Sequence, residues 1–243
     1  MKIFNFFKMS AQPIECSADT RTMNQGQDSG NNKTAENKMH VHNLILLDES
    51  GSMMSIYNPA LTGVNETLQT IRGAQNEHPN QEYFVTLIAF DSNHYNQIYH
   101  NVPADNAADI TKEQYRPDGC TPLYDAMGRS INKLRRSVAK GDIVLVTIIT
   151  DGYENASREY NGKTIKSLVE EMRNAGWVFT YIGANQDVES VAESMSINNS
   201  MSFDANESST KAMFAKECKA RRKFFCKLGT DISINDLSSG YFD

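Results

Sequence analysis

The chain has 243 residues, 40% of them hydrophobic and 9% aromatic, enough to build one ordinary domain with some tail. Its formal net charge of −6 and pI near 5.4 argue against nucleic acid as a partner, since general nucleic-acid binders are basic. No apolar run approaches the ~20 residues that a membrane-spanning helix requires.

The opening M-K-I-F-N-F-F-K-M-S carries positive charge and apolar residues, but Asn5 and Lys8 leave its apolar stretch short for a secretory signal. Residues 11–40 are poor in aliphatics and rich in Ser, Asn, Gln, Thr, Lys and Asp. Such a segment buries too little apolar surface to offset its ordering entropy, so residues 1–40 are expected to form a disordered arm. Cys16, Cys120, Cys218 and Cys226 lack metal-type spacing. They read as free thiols of a reducing cytosol, which predicts a cytoplasmic location.

From His42 the character changes. Residues 43–47 read as a buried strand ending in Asp48, followed by Ser50 and Ser52 around Gly51. Alternate spacing points the side chains of Asp48, Ser50 and Ser52 to one side if this loop stays extended. Leu61, Val64, Leu68 and Ile71 recur at helical spacing within residues 59–76. Residues 83–90 are a second apolar strand ending before Asp91, and residues 96–102 a third at an edge. A polar loop over residues 103–119 leads to C-T-P-L-Y-D-A-M, where Thr121 reads as an N-cap with Pro122 at the first helical position. That helix is expected to reach about residue 138.

Residues 142–150, D-I-V-L-V-T-I-I-T, are the most continuous strand and end in Asp151-Gly152. A helix over residues 164–175, a strand over 177–182, a short helix over 188–195 and a weak strand over 200–203 follow. The last helix, residues 208–228, has Phe214, Cys218, Phe225 and Leu228 on one side. Lys211, Lys216, Lys219, Arg221, Arg222, Lys223 and Lys227 against Glu207 and Glu217 read as its solvated basic face.

Strands alternating with helices imply a sheet with right-handed crossovers and helices on both faces. The expected fold is a doubly wound, mostly parallel α/β domain over residues 41–228, with one antiparallel edge strand and a tail over 229–243. Ligands of such sheets sit outside the carboxyl ends of the strands. Asp48, Ser50, Ser52, Thr121 and Asp151 all fall at that edge. Two carboxylates and three hydroxyls are a hard, all-oxygen donor set, suited to Mg²⁺, with Mn²⁺ as an alternative and Ca²⁺ less favoured because it takes more ligands.

D-E-S-G-S, with Thr121 in G-C-T-P-L-Y-D-A and Asp151 in I-I-T-D-G, resembles the three-part metal-ion-dependent adhesion site of von Willebrand factor type A domains. The resemblance covers roughly residues 41–205. It implies a divalent-cation-dependent protein-interaction module. The serine hydroxyls would bind the metal directly and the aspartates directly or through water. Neutral hydroxyls would leave the ion electrophilic toward an Asp or Glu carboxylate from a protein partner, and Thr121 could join or leave it. Glu49, at the variable position of the pentad, reads as tuning partner choice. The alternative is a Mg²⁺-dependent hydrolase or phosphotransferase on a related sheet, but a dehalogenase-type phosphatase needs a second aspartate where Ser50 stands. No catalytic residue is assigned, because no base or nucleophile accompanies the donors. Nothing in the sequence points to a particular oligomeric state.

Overall fold

The computed structural model describes residues 38–228 and 239–243, all within a unit spanning residues 36–243. The expected arm, apart from its last three residues, therefore lies outside the described residues, as do Cys16 and most of the tail.

Six strands form one sheet: β1 (Met39–Asp48), β2 (Gln81–Phe90), β3 (Tyr95–Pro103), β4 (Ile143–Thr150), β5 (Trp177–Ala184) and β6 (Asn199–Phe203). Their order is β3-β2-β1-β4-β5-β6, and every neighbouring pair is parallel except β2–β3. The antiparallel strand is thus at an edge, as expected. β1 begins two residues earlier than the expected domain boundary, because Met39 and His40 already pair with Gln81 and Glu82.

Helices cover both faces. α1 (Tyr57–Glu77) and α5 (Glu207–Lys227) pack on one; α2 (Leu123–Leu134), α3 (Gly162–Asn174) and α4 (Val188–Ser194) pack on the other. The alternation within β1 explains this. Val41, Ile45 and Leu47 join the core under α1 and α5, while Leu44 and Leu46 join the core under α2 and α3. Every residue from Val41 to Asp48 is buried, the mark of a strand covered on both sides. The chain leaves β1 for β2 on one side and later returns to β4 on the other. The strand order therefore reverses between β1 and β4, the place where sheets of this kind bind ligands beyond their carboxyl ends.

α1 carries the expected apolar stripe, with Leu61, Val64, Leu68 and Ile71 buried. It meets α5 closely at Gly63, where a β-carbon would stand 2.1 Å from the Phe214 ring. α2 is shorter than expected, ending at Leu134.

α5 departs from its expected polarity. Phe214, Cys218, Phe225 and Leu228 are buried as its spacing predicts, but Glu217 and Arg221 are fully buried too. Arg221 Nη2 lies 2.6 Å from Glu217 Oε1, Nη1 donates to Asn43 Oδ1 at 2.6 Å, and Nη2 donates to Thr147 Oγ1 at 2.7 Å. Burial disfavours the charged guanidinium, but the Glu217 carboxylate holds its pKa above the ordinary value. This corrects the reading of both residues as part of a solvated face. The exposed cations of α5 are Lys211, Lys216, Lys219, Arg222, Lys223 and Lys227. Tyr241 packs on Phe224 and its hydroxyl lies 3.3 Å from Glu217 Oε1, so the last residues of the chain dock on the domain.

Candidate metal and partner-binding site

Asp48 is the last residue of β1 and wholly buried. Its Oδ1 accepts the Ser50 backbone N–H at 2.7 Å, and its Oδ2 accepts the Thr150 hydroxyl at 2.5 Å. Tyr115, buried and stacked on Tyr57, donates its hydroxyl to the Asp48 carbonyl at 3.0 Å. Burial raises the Asp48 carboxyl to about 6, against the lowering by its hydrogen bonds to Thr150 and Ser50.

The expected extended loop runs only through Ser50, whose ψ is 160°. A 3-10 turn over Gly51–Ile56 then folds Ser52 back, so that its hydroxyl stands 3.2 Å from that of Ser50. Ser52 Oγ donates to Asp151 Oδ1 at 2.5 Å, joining two loops about a hundred residues apart in sequence. Burial also raises the Asp151 carboxyl above its ordinary value.

Thr121 reaches the same place, though not as an N-cap. The N-cap of α2 is Pro122, which offers no side-chain bond. The following loop supplies the caps instead: Glu154 Oε2 accepts the Tyr124 N–H at 2.9 Å and Ser157 Oγ accepts the Asp125 N–H at 3.0 Å. Asn155 clamps Thr121 from both sides, its side chain accepting the Thr121 N–H at 2.8 Å and its own N–H donating to the Thr121 carbonyl at 3.1 Å. Asp125 in turn accepts the N–H groups of Arg158, Glu159 and Tyr160. Burial opposes its ionisation, yet these three bonds hold its carboxyl below the ordinary value.

Relieved of capping, the Thr121 hydroxyl has no hydrogen-bond partner among the described residues. It faces Gly152, where a β-carbon would stand 3.5 Å from Thr121 Oγ1 and 3.7 Å from Ser52 Oγ. The loop before it is set by Gly119, whose φ of +65° suits glycine and whose β-carbon would fall 2.5 Å from Ser92 Oγ. Ser92 then brackets Cys120, accepting its N–H and donating to its carbonyl, both at 3.0 Å.

The structure thus brings all five sequence-derived residues to one point at the carboxyl edge. Glu49 is different. It is buried, its Oε1 accepts the Arg116 N–H, and burial raises its pKa. It fastens the loop over residues 103–119 and does not face a partner, which corrects its expected role. Thr150, Glu154, Asn155, Ser157 and Asp125 position the donors and were not singled out from sequence for that task. Glu154, Asn155 and Ser157 fall in the stretch E-N-A-S shortly after Asp151-Gly152, whereas Thr150 and Asp125 lie outside it.

The donor set fits a hard divalent cation: two carboxylates, three hydroxyls, and one hydroxyl without a protein partner. Among the described residues no group of three His, Cys, Asp or Glu gathers to hold a metal, so any such site here depends on the hydroxyls. A cleft of about 660 Å³ lies beside the donors, between the end of β2 and the loop after Asp151, lined among others by His94, Arg129 and Arg158. Cys120 and Pro122 border it on either side of Thr121.

No family model matches the chain, and no curated protein does. Among solved structures it is similar to the PilB minor pilin from Streptococcus sanguinis (TM-score 0.55, 13% identity, covering 79% of this chain and 62% of that one). It is also similar to the vWF domain of the type V pili tip protein Mfa5 from Porphyromonas gingivalis (TM-score 0.54, 8% identity, 81% of this chain and 99% of that one). A third likeness is the pilus adhesin SpaC from Lactobacillus rhamnosus GG (TM-score 0.51, 16% identity, 81% of this chain and 31% of that one). This chain therefore spans less than two thirds of PilB and matches the Mfa5 domain over nearly its whole length. At such identities the likeness bears on fold alone, and the mostly parallel α/β fold is similar to that of von Willebrand factor type A domains.

Proposed function

We propose that the domain is a divalent-cation-dependent protein-interaction module, holding Mg²⁺ or Mn²⁺ through Asp48, Ser50, Ser52, Thr121 and Asp151 and accepting an Asp or Glu carboxylate from its partner. The observation that carries this reading is the Thr121 hydroxyl. It is delivered to the Ser52–Asp151 pair by a clamp of loop residues and left without a hydrogen-bond partner among the described residues. A bound cation would supply a positive centre able to hold an incoming carboxylate. The chain's own residues do the rest. Thr150 and Ser50 orient Asp48, Ser52 orients Asp151, and Asn155 holds Thr121 in reach.

Domain limits of 41–228 with a separate arm and tail are kept as a proposal, with the start moved to Met39 and the last residues counted with the fold. The hydrolase alternative still lacks the second aspartate of a dehalogenase-type phosphatase, since Ser50 stands at that position. No described helix is long and apolar enough to cross a membrane. On location the signals diverge. Among the described residues Cys120 and Cys218 are free thiols, whereas PilB, Mfa5 and SpaC are pilus proteins by name, so the comparisons do not support a cytoplasmic location.

The test is direct. Mn²⁺ titration of the full chain, followed by electron paramagnetic resonance, is expected to show one saturable site that Mg²⁺ competes for and that Asp48→Ala abolishes. Linear, unsaturable uptake, or the same site in the variant, rejects the reading.

A further inference from the structure

We infer that Met54 and Tyr153 form an apolar rim to the cation site, and that the partner presents its carboxylate beside an aliphatic or aromatic side chain. This rests on the proposed cation site and says what kind of partner it takes.

Among the described residues only two large apolar side chains stand well exposed, Met54 at 58% and Tyr153 at 55%. Single exposed apolar residues are ordinary on any protein surface. Here both stand at one edge of the sheet, each two positions beyond a donor: Met54 after Ser52, Tyr153 after Asp151. The Ser52–Asp151 hydrogen bond of 2.5 Å ties their loops together.

Neither residue is needed by the fold. The 3-10 turn anchors itself through Met53 and Ile56, three apart and so on one face, and both are buried. Met54 is left facing outward. The loop after Asp151 is fixed by Glu154, Asn155 and Ser157, whereas the Tyr153 hydroxyl makes no hydrogen bond among the described residues.

An apolar rim has a physical use beside a cation. When a partner covers it, water leaves the contact, the local dielectric falls, and the cation–carboxylate attraction strengthens. Met adapts its shape to varied neighbours, and Tyr offers a large rigid face, both common at interface anchors. Charge narrows the partner further. The chain carries a formal −6, and Asp48 and Asp151 offset the cation's own charge, so the site does not favour a densely acidic segment. The fitting occupant is a polypeptide segment with one acid flanked by apolar residues.

The experiment uses short synthetic peptides with a fixed central Glu and randomised flanks, displayed as an array and probed with the full chain in Mg²⁺ or EDTA. Wild type, Met54→Ser and Tyr153→Ser are compared, and Mn²⁺ affinity is measured for each. The expected result is a Mg²⁺-dependent signal concentrated on peptides with an apolar residue within two positions of Glu. It should fall about tenfold in Tyr153→Ser, as for an interface anchor, and also in Met54→Ser, with Mn²⁺ affinity unchanged in both. Equal signal on polar-flanked peptides, unchanged signal in both variants, or no Mg²⁺-dependent signal from protein that binds Mn²⁺ overturns this inference alone. Failure of wild type to bind Mn²⁺ overturns the cation site, and the inference with it.

Discussion

Thr150 donates its hydroxyl to Asp48 Oδ2 at 2.5 Å, in a position that the sequence presents only as the last letter of an aliphatic strand. Groups of this kind orient a ligand and tune its basicity, and their loss typically lowers metal affinity about 10–100-fold. Thr150→Val, nearly equal in shape, is therefore expected to weaken Mn²⁺ binding by that factor while leaving the far-UV spectrum unchanged; resonance titration measures it. Glu154 carries two tasks at once. It caps α2 through Tyr124 N–H and fixes its own loop through the N–H groups of Ala156 and Ser157. Glu154→Ala should cost about 0.5–2 kcal/mol, the range for a lost helix cap, read from the urea midpoint. Mn²⁺ affinity should fall too, because Thr121 is held by the same loop.

Between elements, α5 is held in two ways. At Gly63 the α1 backbone approaches the Phe214 ring so closely that even a methyl group has no room, since its carbon would stand 2.1 Å away. Gly63→Ala is accordingly expected to destabilise by roughly 1–3 kcal/mol, the usual cost of overpacking, despite its better helix propensity. Equilibrium urea unfolding gives the sign, and a stabilised variant would refute the close packing. The second hold is the buried Arg221, bonded to Glu217, Asn43 and Thr147, the last two on β1 and β4. Removing one partner of a buried pair leaves a charge uncompensated, so Glu217→Ala should cost about 3–5 kcal/mol. Replacing the pair with Glu217→Leu and Arg221→Met should recover much of that loss. If both variants are equally destabilised, the ion pair is not the cause.

For the whole molecule, a ligand that binds only the folded state raises its stability by mass action. At a hundred times its dissociation constant the gain is about 2.7 kcal/mol. Mg²⁺ is expected to raise the thermal midpoint in a concentration-dependent way, EDTA to remove the gain, and Asp48→Ala to show none. Calorimetry of the three samples measures this, and an equal shift in the variant would mean that the ion binds elsewhere. The response should appear in the single cooperative transition of the domain. The donors come from the ends of β1 and β4 and the start of α2, elements that share the two cores.

The alternation of apolar strands and helices was enough to predict the layered α/β fold, because burying both faces of a sheet leaves few other arrangements for such a pattern. Five oxygen-bearing residues at strand and helix ends were also legible, since their types and positions are local properties. The capping of α2 was not. Thr121 looks like an N-cap in sequence, and only the arrival of Glu154 and Ser157 from a loop some thirty residues later frees its hydroxyl. Nor was the interior role of Arg221, because a basic residue on a basic helix reads as solvated until Asn43 and Thr147 are seen to wait beneath it. Glu49 likewise turns inward only because the loop over residues 103–119 closes above it. Local chemistry wrote the fold and the candidate donors; contacts between distant segments decided which polar groups are engaged by the protein itself and which are left without a partner among the described residues.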